Sequence, residues 1–190
     1  PHGSGLGGGS ANAADLLNFF NSKMNLKLKD DQMQKIANEI GFDVPVNLKR
    51  KNSLLTGKKG KILRFKKKFK LNILIVYPNI ICKTKEIFAK NKNFSFPNSK
   101  LKFHIHNKKQ LTDLLKKENN DLEEIVIKLH PRVGEIIDFI NIQNGCCFSR
   151  ITGSGSSCIG IFFNAKNANY AKKMIKLKYP KYWCVVSKTI

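Results

Sequence analysis

The sequence lacks any apolar run long enough to cross a bilayer, because its longest, residues 71–77, has only the length of a strand. It also lacks CxxC pairs, and its cysteines are odd in number at five. Disulfides and a zinc site are therefore not expected. We expect buried free thiols in a cytoplasmic protein with no membrane partner.

Acidic residues and arginine are scarce. The chain has 13 Asp and Glu against 35 Lys and Arg, a formal net charge of +22, and only four arginines. This charge is typical of a nucleic-acid-binding domain, which remains an alternative. However, base recognition favours arginine, and no module with interleaved aromatic residues is visible. We favour a compositional bias towards lysine, with no specific nucleic-acid partner.

Glycine, by contrast, is concentrated at one place. Five glycines fall within residues 3–9, and an apolar-rich helix is predicted directly afterwards. Glycine lets the backbone approach a ligand, and a helix N-terminus attracts phosphate. A flexible linker is the alternative, but Leu6 within the run and the adjoining helix favour a phosphate loop. Because such loops follow a strand and the chain has no initiator Met, we expect it to be part of a longer protein.

The remaining pattern alternates helices and strands, which predicts a mixed α+β protein. Asp30 is the predicted N-cap of the second helix, Gly41 its end, and Thr84 the cap of the third. The predicted helices cover 10–23, 31–40, 84–90, 110–117, 119–129 and 131–144, with a further helix at 167–178. The predicted strands cover 70–77, 147–151, 158–163 and 183–187, with a strand–turn–strand passage at 49–61 and a variable loop at 90–106.

Two further segments have possible roles at a site. Asp43 is the only carboxylate in the short apolar segment 41–46, where Pro45 is predicted to hold Val44 extended. It can be a structural residue that bonds nearby backbone N–H groups, which is the interpretation the residues alone favour, or a carboxylate at the edge of a site. Residues 152–157 form a second Gly/Ser-rich loop, longer than a tight hairpin needs. Two such loops suggest that both face one anionic ligand.

Together these motifs resemble the GHMP kinase superfamily. Pro1–Ala14 resembles its central phosphate-loop motif, Gly41–Val46 its Gly-x-Asp-Val-Pro segment, and Thr152–Gly155 its third glycine motif. The segment Asn120–Glu123 matches one member of the superfamily. The resemblance implies a two-domain α+β fold. Residues 1–56 would be the later part of a ribosomal-protein-like N-terminal domain, and residues 57–190 a ferredoxin-like C-terminal domain.

The resemblance also implies an ATP-dependent kinase that uses Mg²⁺ and phosphorylates a hydroxyl of a small molecule carrying cytidine diphosphate. Asp43 would be catalytic and contact substrate, and Ser10 would lie near the metal. ATP-binding positions would be Gly3, Gly5, Leu6, Gly7, Gly8, Gly9, Ser10 and Asn12. Substrate-binding positions would be Asp43, His130, Thr152, Gly153, Ser154 and Gly155.

Some implications remain open at this point. His130 matches a position where relatives often carry an aromatic residue that stacks on cytosine, but it can equally be a connection residue before Pro131. A partner lysine would precede Pro1, so upstream sequence would be needed for activity. A homoserine- or mevalonate-type GHMP kinase is the nearest alternative. The resemblance is compatible with a monomer or a homodimer.

Overall fold

The structure is a computed structural model that describes residues 3–57, 60–92, 94 and 105–189. It divides into two compact units. We call Gly7–Lys68 the helical unit, and Pro1–Leu6 with Phe69–Thr189 the sheet unit. The division therefore falls after Lys68, and residues 3–6 belong with the later part of the chain. The boundary predicted after residue 56 is one between the domains of the family, which this division into compact units does not test, so it stays a prediction.

The described residues of the helical unit form three helices and a two-stranded hairpin. These are α1 (Gly8–Lys23), α2 (Asp30–Ile40), α3 (Val44–Asn47), β1 (Ser53–Thr56) and β2 (Lys61–Arg64). Its small core joins one residue from each helix, Ala14, Ala37 and Val44. Helix α1 follows the glycines as predicted, but two of its large apolar side chains, Leu16 and Phe19, are 53% and 52% exposed. Ala13, Ala14 and Leu17 are the side chains of α1 that pack into this core.

The turn after α2 differs from the prediction at Pro45. Val44 is helical rather than extended, and it begins α3 with Pro45 as the next residue. Proline is tolerated in the first turn of a helix, because the N–H that it lacks would have no partner there. The preceding Gly41 ends α2 as predicted, and its N–H donates to the Ala37 carbonyl at 3.1 Å.

The N-cap prediction for α2 is off by one residue. Asp30 is the first helical residue and Lys29 the N-cap. The side chain of Gln32 accepts the Lys29 N–H at 2.9 Å, as the third helical residue does in a capping box. The carboxylate of Asp30 instead pairs with the ammonium group of Lys49.

The sheet unit has the predicted ferredoxin-like arrangement. Its four strands lie in the order β4-β5-β3-β6 and all pair antiparallel. Its strands are β3 (Asn72–Tyr77), β4 (Cys146–Ile151), β5 (Cys158–Phe162) and β6 (Trp183–Lys188). Its helices are α4 (Thr84–Lys90), α5 (Lys108–Lys117), α6 (Glu123–Leu129), α7 (Pro131–Asn141) and α8 (Ala165–Lys178). Helix α6 begins four residues later than predicted.

The sheet buries both faces. Leu74 and Val76 of β3 join the main core with α7 and α8, whereas Ile161 of β5 packs with Leu111 and Leu115 of α5. This alternation follows the two-residue period of a strand. The main core lies on the side of α6, α7 and α8, so it supports the loop that joins β4 to β5.

Two other sequence-based expectations are tested by the described residues. All five cysteines are free, but only Cys82, Cys158 and Cys184 are buried, and the other two are half-buried. No helix in the described ranges combines the length and apolarity that crossing a membrane requires. Most of the predicted variable loop at 90–106 lies outside the described residues, because positions 93 and 95–104 are not among them.

Candidate active site

The end of the glycine-rich segment forms an open helix start. Gly7 is the N-cap of α1 with φ 66°, and Gly7, Gly8 and Gly9 are exposed. A Cβ atom at any of these three positions would meet nothing within 4 Å. The first N–H groups of a helix have no intrahelical partner and carry the positive end of its dipole. This helix start is therefore suited to an anionic group.

Gly5 belongs to the sheet unit and has a different reason to be glycine. Its φ is 73°, and a Cβ atom there would lie 2.3 Å from the Thr152 carbonyl oxygen and 2.7 Å from that of Gly155. The Thr152 hydroxyl also donates to the Gly5 carbonyl at 3.3 Å. Within the sheet unit, Gly5 is therefore in direct contact with the second glycine-rich loop.

The loop between β4 and β5 is extensively bonded. It closes an antiparallel pair and is therefore the connection of a hairpin, although it is longer than a tight turn, and its role in binding stays a prediction. Ser157 N–H donates to the Ser4 carbonyl at 3.1 Å, and Ser156 donates its hydroxyl to the Ile80 carbonyl. Thr84, predicted as a helix cap, instead shares a 2.8 Å hydrogen bond with the hydroxyl of Ser154. These contacts hold the backbone of Thr152–Ser157 from several sides.

Asp43 lies in the helical unit, at the N-cap of α3. Its side chain is exposed and does not cap the helix. Sequence reasoning missed the residue that holds this turn, Arg64. One guanidinium nitrogen of Arg64 donates to the Pro45 carbonyl at 2.8 Å, and the other to the carbonyls of Val46 and Lys49 at 3.0 and 3.3 Å. A signal existed, since Arg64 is an isolated arginine in a lysine-rich hairpin.

The other predicted site residues fall in both units. Ser10 is half-buried and Asn12 exposed, both in the first turns of α1, and Leu6 is half-buried. His130 is half-buried between α6 and α7, where its N–H donates to the Val126 carbonyl at 2.8 Å. The connection role of His130 is therefore confirmed for its backbone, and stacking on a base stays a prediction.

Two buried thiols, those of Cys82 and Cys158, lie near the β4–β5 loop. A Cβ atom on Gly155 would lie 3.6 Å from the Cys82 sulfur. Burial raises the pKa of Cys82 and of Cys158, so both thiols are protonated at neutral pH and do not act as nucleophiles. In the described ranges no group of three or more His, Cys, Asp or Glu could hold a metal ion.

Two family profiles match the chain. The profile described as GHMP kinases N terminal domain covers residues 1–49, and GHMP kinases C terminal covers residues 104–181. A 4-diphosphocytidyl-2-C-methyl-D-erythritol kinase from Pelagibacter ubique is 39% identical over 191 aligned positions, which cover 100% of this chain and 66% of that protein. The chain thus spans just under two thirds of the length of this relative.

Solved structures share the fold. A crystal structure of 4-(cytidine 5'-diphospho)-2C-methyl-D-erythritol kinase matches with a TM-score of 0.75 and 20% identity, covering 98% of this chain and 67% of that one. A homoserine kinase from Cytophaga hutchinsonii also matches with a TM-score of 0.75, at 16% identity, covering 100% and 67%. Identities this low establish the fold alone, and the fold does not separate the two activities.

Proposed function

Because the chain belongs to the GHMP kinase family, we propose that its protein is an ATP-dependent kinase for 4-diphosphocytidyl-2-C-methyl-D-erythritol. The reaction would phosphorylate the 2-hydroxyl of this substrate, a step in non-mevalonate isoprenoid precursor synthesis. The observation that carries the choice of substrate is the 39% identity, over the full chain, to a relative of that name. Homoserine and mevalonate kinases are supported by solved structures at 16–19% identity, which show the fold alone.

The glycine-rich segment would bind the phosphates of ATP. Exposed backbone at Gly7–Gly9 and the N-terminus of α1 supply N–H donors without a side chain in the way. Ser10 would place its hydroxyl beside a magnesium ion on those phosphates. The ion would neutralise charge that develops on the transferred group.

Asp43 would accept the proton of the attacking hydroxyl. The hydroxyl oxygen then forms a bond to the γ-phosphorus, the bond from that phosphorus to its bridging oxygen breaks, and ADP leaves. The carboxylate of Asp43 is exposed and lies on a turn that Arg64 fixes, which is compatible with this role. A well-placed base contributes about 10²–10⁴-fold to the rate, whereas positioning and charge stabilisation supply most of the remainder.

The loop Thr152–Gly155 would bind the diphosphate of the substrate, and His130 would stack on its cytosine. The support for the loop is its contact with Gly5, which joins the two glycine motifs within the sheet unit. The support for His130 is that the residue is half-buried, so part of its surface is accessible to a base. We further propose a cytoplasmic enzyme, monomeric or homodimeric, without a specific nucleic-acid partner.

The test is ADP release by the full-length protein with three candidate substrates. We expect magnesium-dependent release with 4-diphosphocytidyl-2-C-methyl-D-erythritol, and background release with homoserine or mevalonate. Turnover of either of the latter would reassign the enzyme within its family. No turnover of any of the three, with DNA binding that weakens steeply as salt rises, would instead favour the nucleic-acid alternative.

A further inference from the structure

The segment Asn120–Glu123 has no role in the chemistry above, although its sequence is distinctive. It immediately precedes and begins α6, and two of its side chains reach the loop between β4 and β5. All of these residues belong to the sheet unit. The contacts are made to the loop backbone, so they act on its conformation rather than on its side chains.

Asn120 uses both ends of its amide. Its oxygen accepts the Leu122 N–H at 3.0 Å, and its nitrogen donates to the Gly153 carbonyl at 2.9 Å. The same nitrogen lies 3.5 Å from the Ile151 carbonyl. The amide oxygen thus faces an N–H group and the amide nitrogen faces a carbonyl oxygen, and this pairing fixes the orientation of the amide.

Glu123 holds the entrance to the loop. Its carboxylate accepts the Ile151 N–H at 2.7 Å, a charge-assisted bond of the shorter and stronger kind. The side chain of Glu123 is half-buried, whereas its neighbour Glu124 is exposed and lies 3.9 Å from Lys128. Only Glu123, of this adjacent pair, reaches the loop.

The loop needs such support because of its composition. Gly153 and Gly155 have positive φ angles of 54° and 78°, and glycine loses more backbone freedom on ordering than any other residue. We propose that Asn120 and Glu123 are positioning residues that hold Thr152–Gly155 in the conformation that binds the substrate diphosphate. This inference rests on the proposed function, in which that loop contacts the substrate.

Variants can separate this role from a merely structural one. Asn120→Asp keeps the oxygen that accepts from Leu122 but replaces the donor with an oxygen facing the Gly153 carbonyl. Asn119→Asp, at an exposed neighbour, adds the same charge without that contact. Glu123→Ala removes the acceptor, Glu123→Gln keeps one, and Glu124→Ala is the matched control.

The first measurement is steady-state kinetics of the full-length protein. We expect Asn120→Asp and Glu123→Ala to raise KM for the cytidine substrate about tenfold or more, the effect of losing one good hydrogen bond, with KM for ATP unchanged. Asn119→Asp, Glu124→Ala and Glu123→Gln should stay within about twofold of the parent protein. Equal changes in both KM values, or none, would overturn the proposal.

The second measurement, amide exchange of residues 151–157, needs no activity. Exchange there should accelerate in Asn120→Asp and Glu123→Ala but not in the control variants. Unchanged exchange would show that these side chains do not hold the loop. If exchange accelerates in these variants but the parent protein does not phosphorylate the cytidine substrate, then Asn120 and Glu123 hold the loop but the proposed function is wrong. Failure of the positioning role and failure of the proposed function are therefore distinguishable.

Discussion

Gly5→Ala should destabilise the sheet unit more than its small size suggests. A left-handed φ of 73° costs an alanine about 1–2 kcal/mol. The new Cβ atom would also lie 2.3 Å from the Thr152 oxygen, which is backbone and held within the loop. Forcing atoms into a packed site costs about 1–3 kcal/mol, so we expect a total loss of about 2–5 kcal/mol in the free energy of unfolding.

Two neighbouring glycines serve as controls. Gly7 has a similar φ of 66° but open space around a Cβ atom, so Gly7→Ala should show only the conformational part, about 1–2 kcal/mol. Gly8 is helical with open space, and Gly8→Ala should be neutral or stabilise by up to about 1 kcal/mol. Comparing the three substitutions separates the cost of a positive φ from the cost of the contact between the new Cβ atom and the Thr152 oxygen.

The assay is urea unfolding followed by two signals. The single tryptophan, Trp183, lies on β6 and reports the sheet unit, whereas far-ultraviolet circular dichroism reports the helices of both units. Gly5→Ala should shift the fluorescence transition to lower urea. If Gly5→Ala is no less stable than Gly7→Ala, then the close contact between Gly5 and the β4–β5 loop is not present in solution.

Three other perturbations test separate parts of the structure. In steady-state kinetics, Arg64→Gln should reduce kcat about tenfold, because it loosens the turn that carries Asp43. The control, Arg50→Gln at an exposed ion pair, should change kcat less than about twofold. At pH 8 Cys158 should resist alkylation in the folded protein, because burial raises its pKa and lowers its thiolate fraction. It should react once urea unfolds the chain, and mass spectrometry measures the difference. Gly160→Ala should lower stability by about 1–3 kcal/mol in the same urea assay, since a Cβ atom would lie 2.4 Å from Ile140.

The arrangement of the sheet unit could be predicted because its signals are local. The apolar strands specify the sheet, and a ferredoxin-like order follows from the family resemblance. Helix α7, predicted over 131–144, ends earlier, at Asn141. The predicted start of α6 at residue 119 is four residues too early, although Asn119, Asn120 and Asp121 are residue types that favour turns and caps. In the structure the side chain of Asn120 forms a turn first, through its bond to the Leu122 N–H.

The sites of tight packing could not be predicted from local pattern. Gly5 looked like a phosphate-loop glycine, but its geometry reflects contact with Thr152 and Gly155, about 150 residues away in sequence. Arg64 and Glu123 act through backbone carbonyl or N–H groups of distant segments, and backbone partners leave no mark in the sequence. The prediction for Val44 was wrong because the usual bias before proline was overridden, with Val44 buried in the core of the helical unit.

The most direct test of the central claim is single-turnover phosphoryl transfer by Asp43→Asn in the full-length protein. The substrate is 4-diphosphocytidyl-2-C-methyl-D-erythritol with radiolabelled ATP, and Glu39→Gln, at an exposed position on α2, is the control. The account predicts a rate lowered by about 10²–10⁴-fold, ATP affinity unchanged, and a control close to the parent protein. A rate for Asp43→Asn within about threefold of the parent would contradict the claim that this carboxylate takes the proton of the attacking hydroxyl.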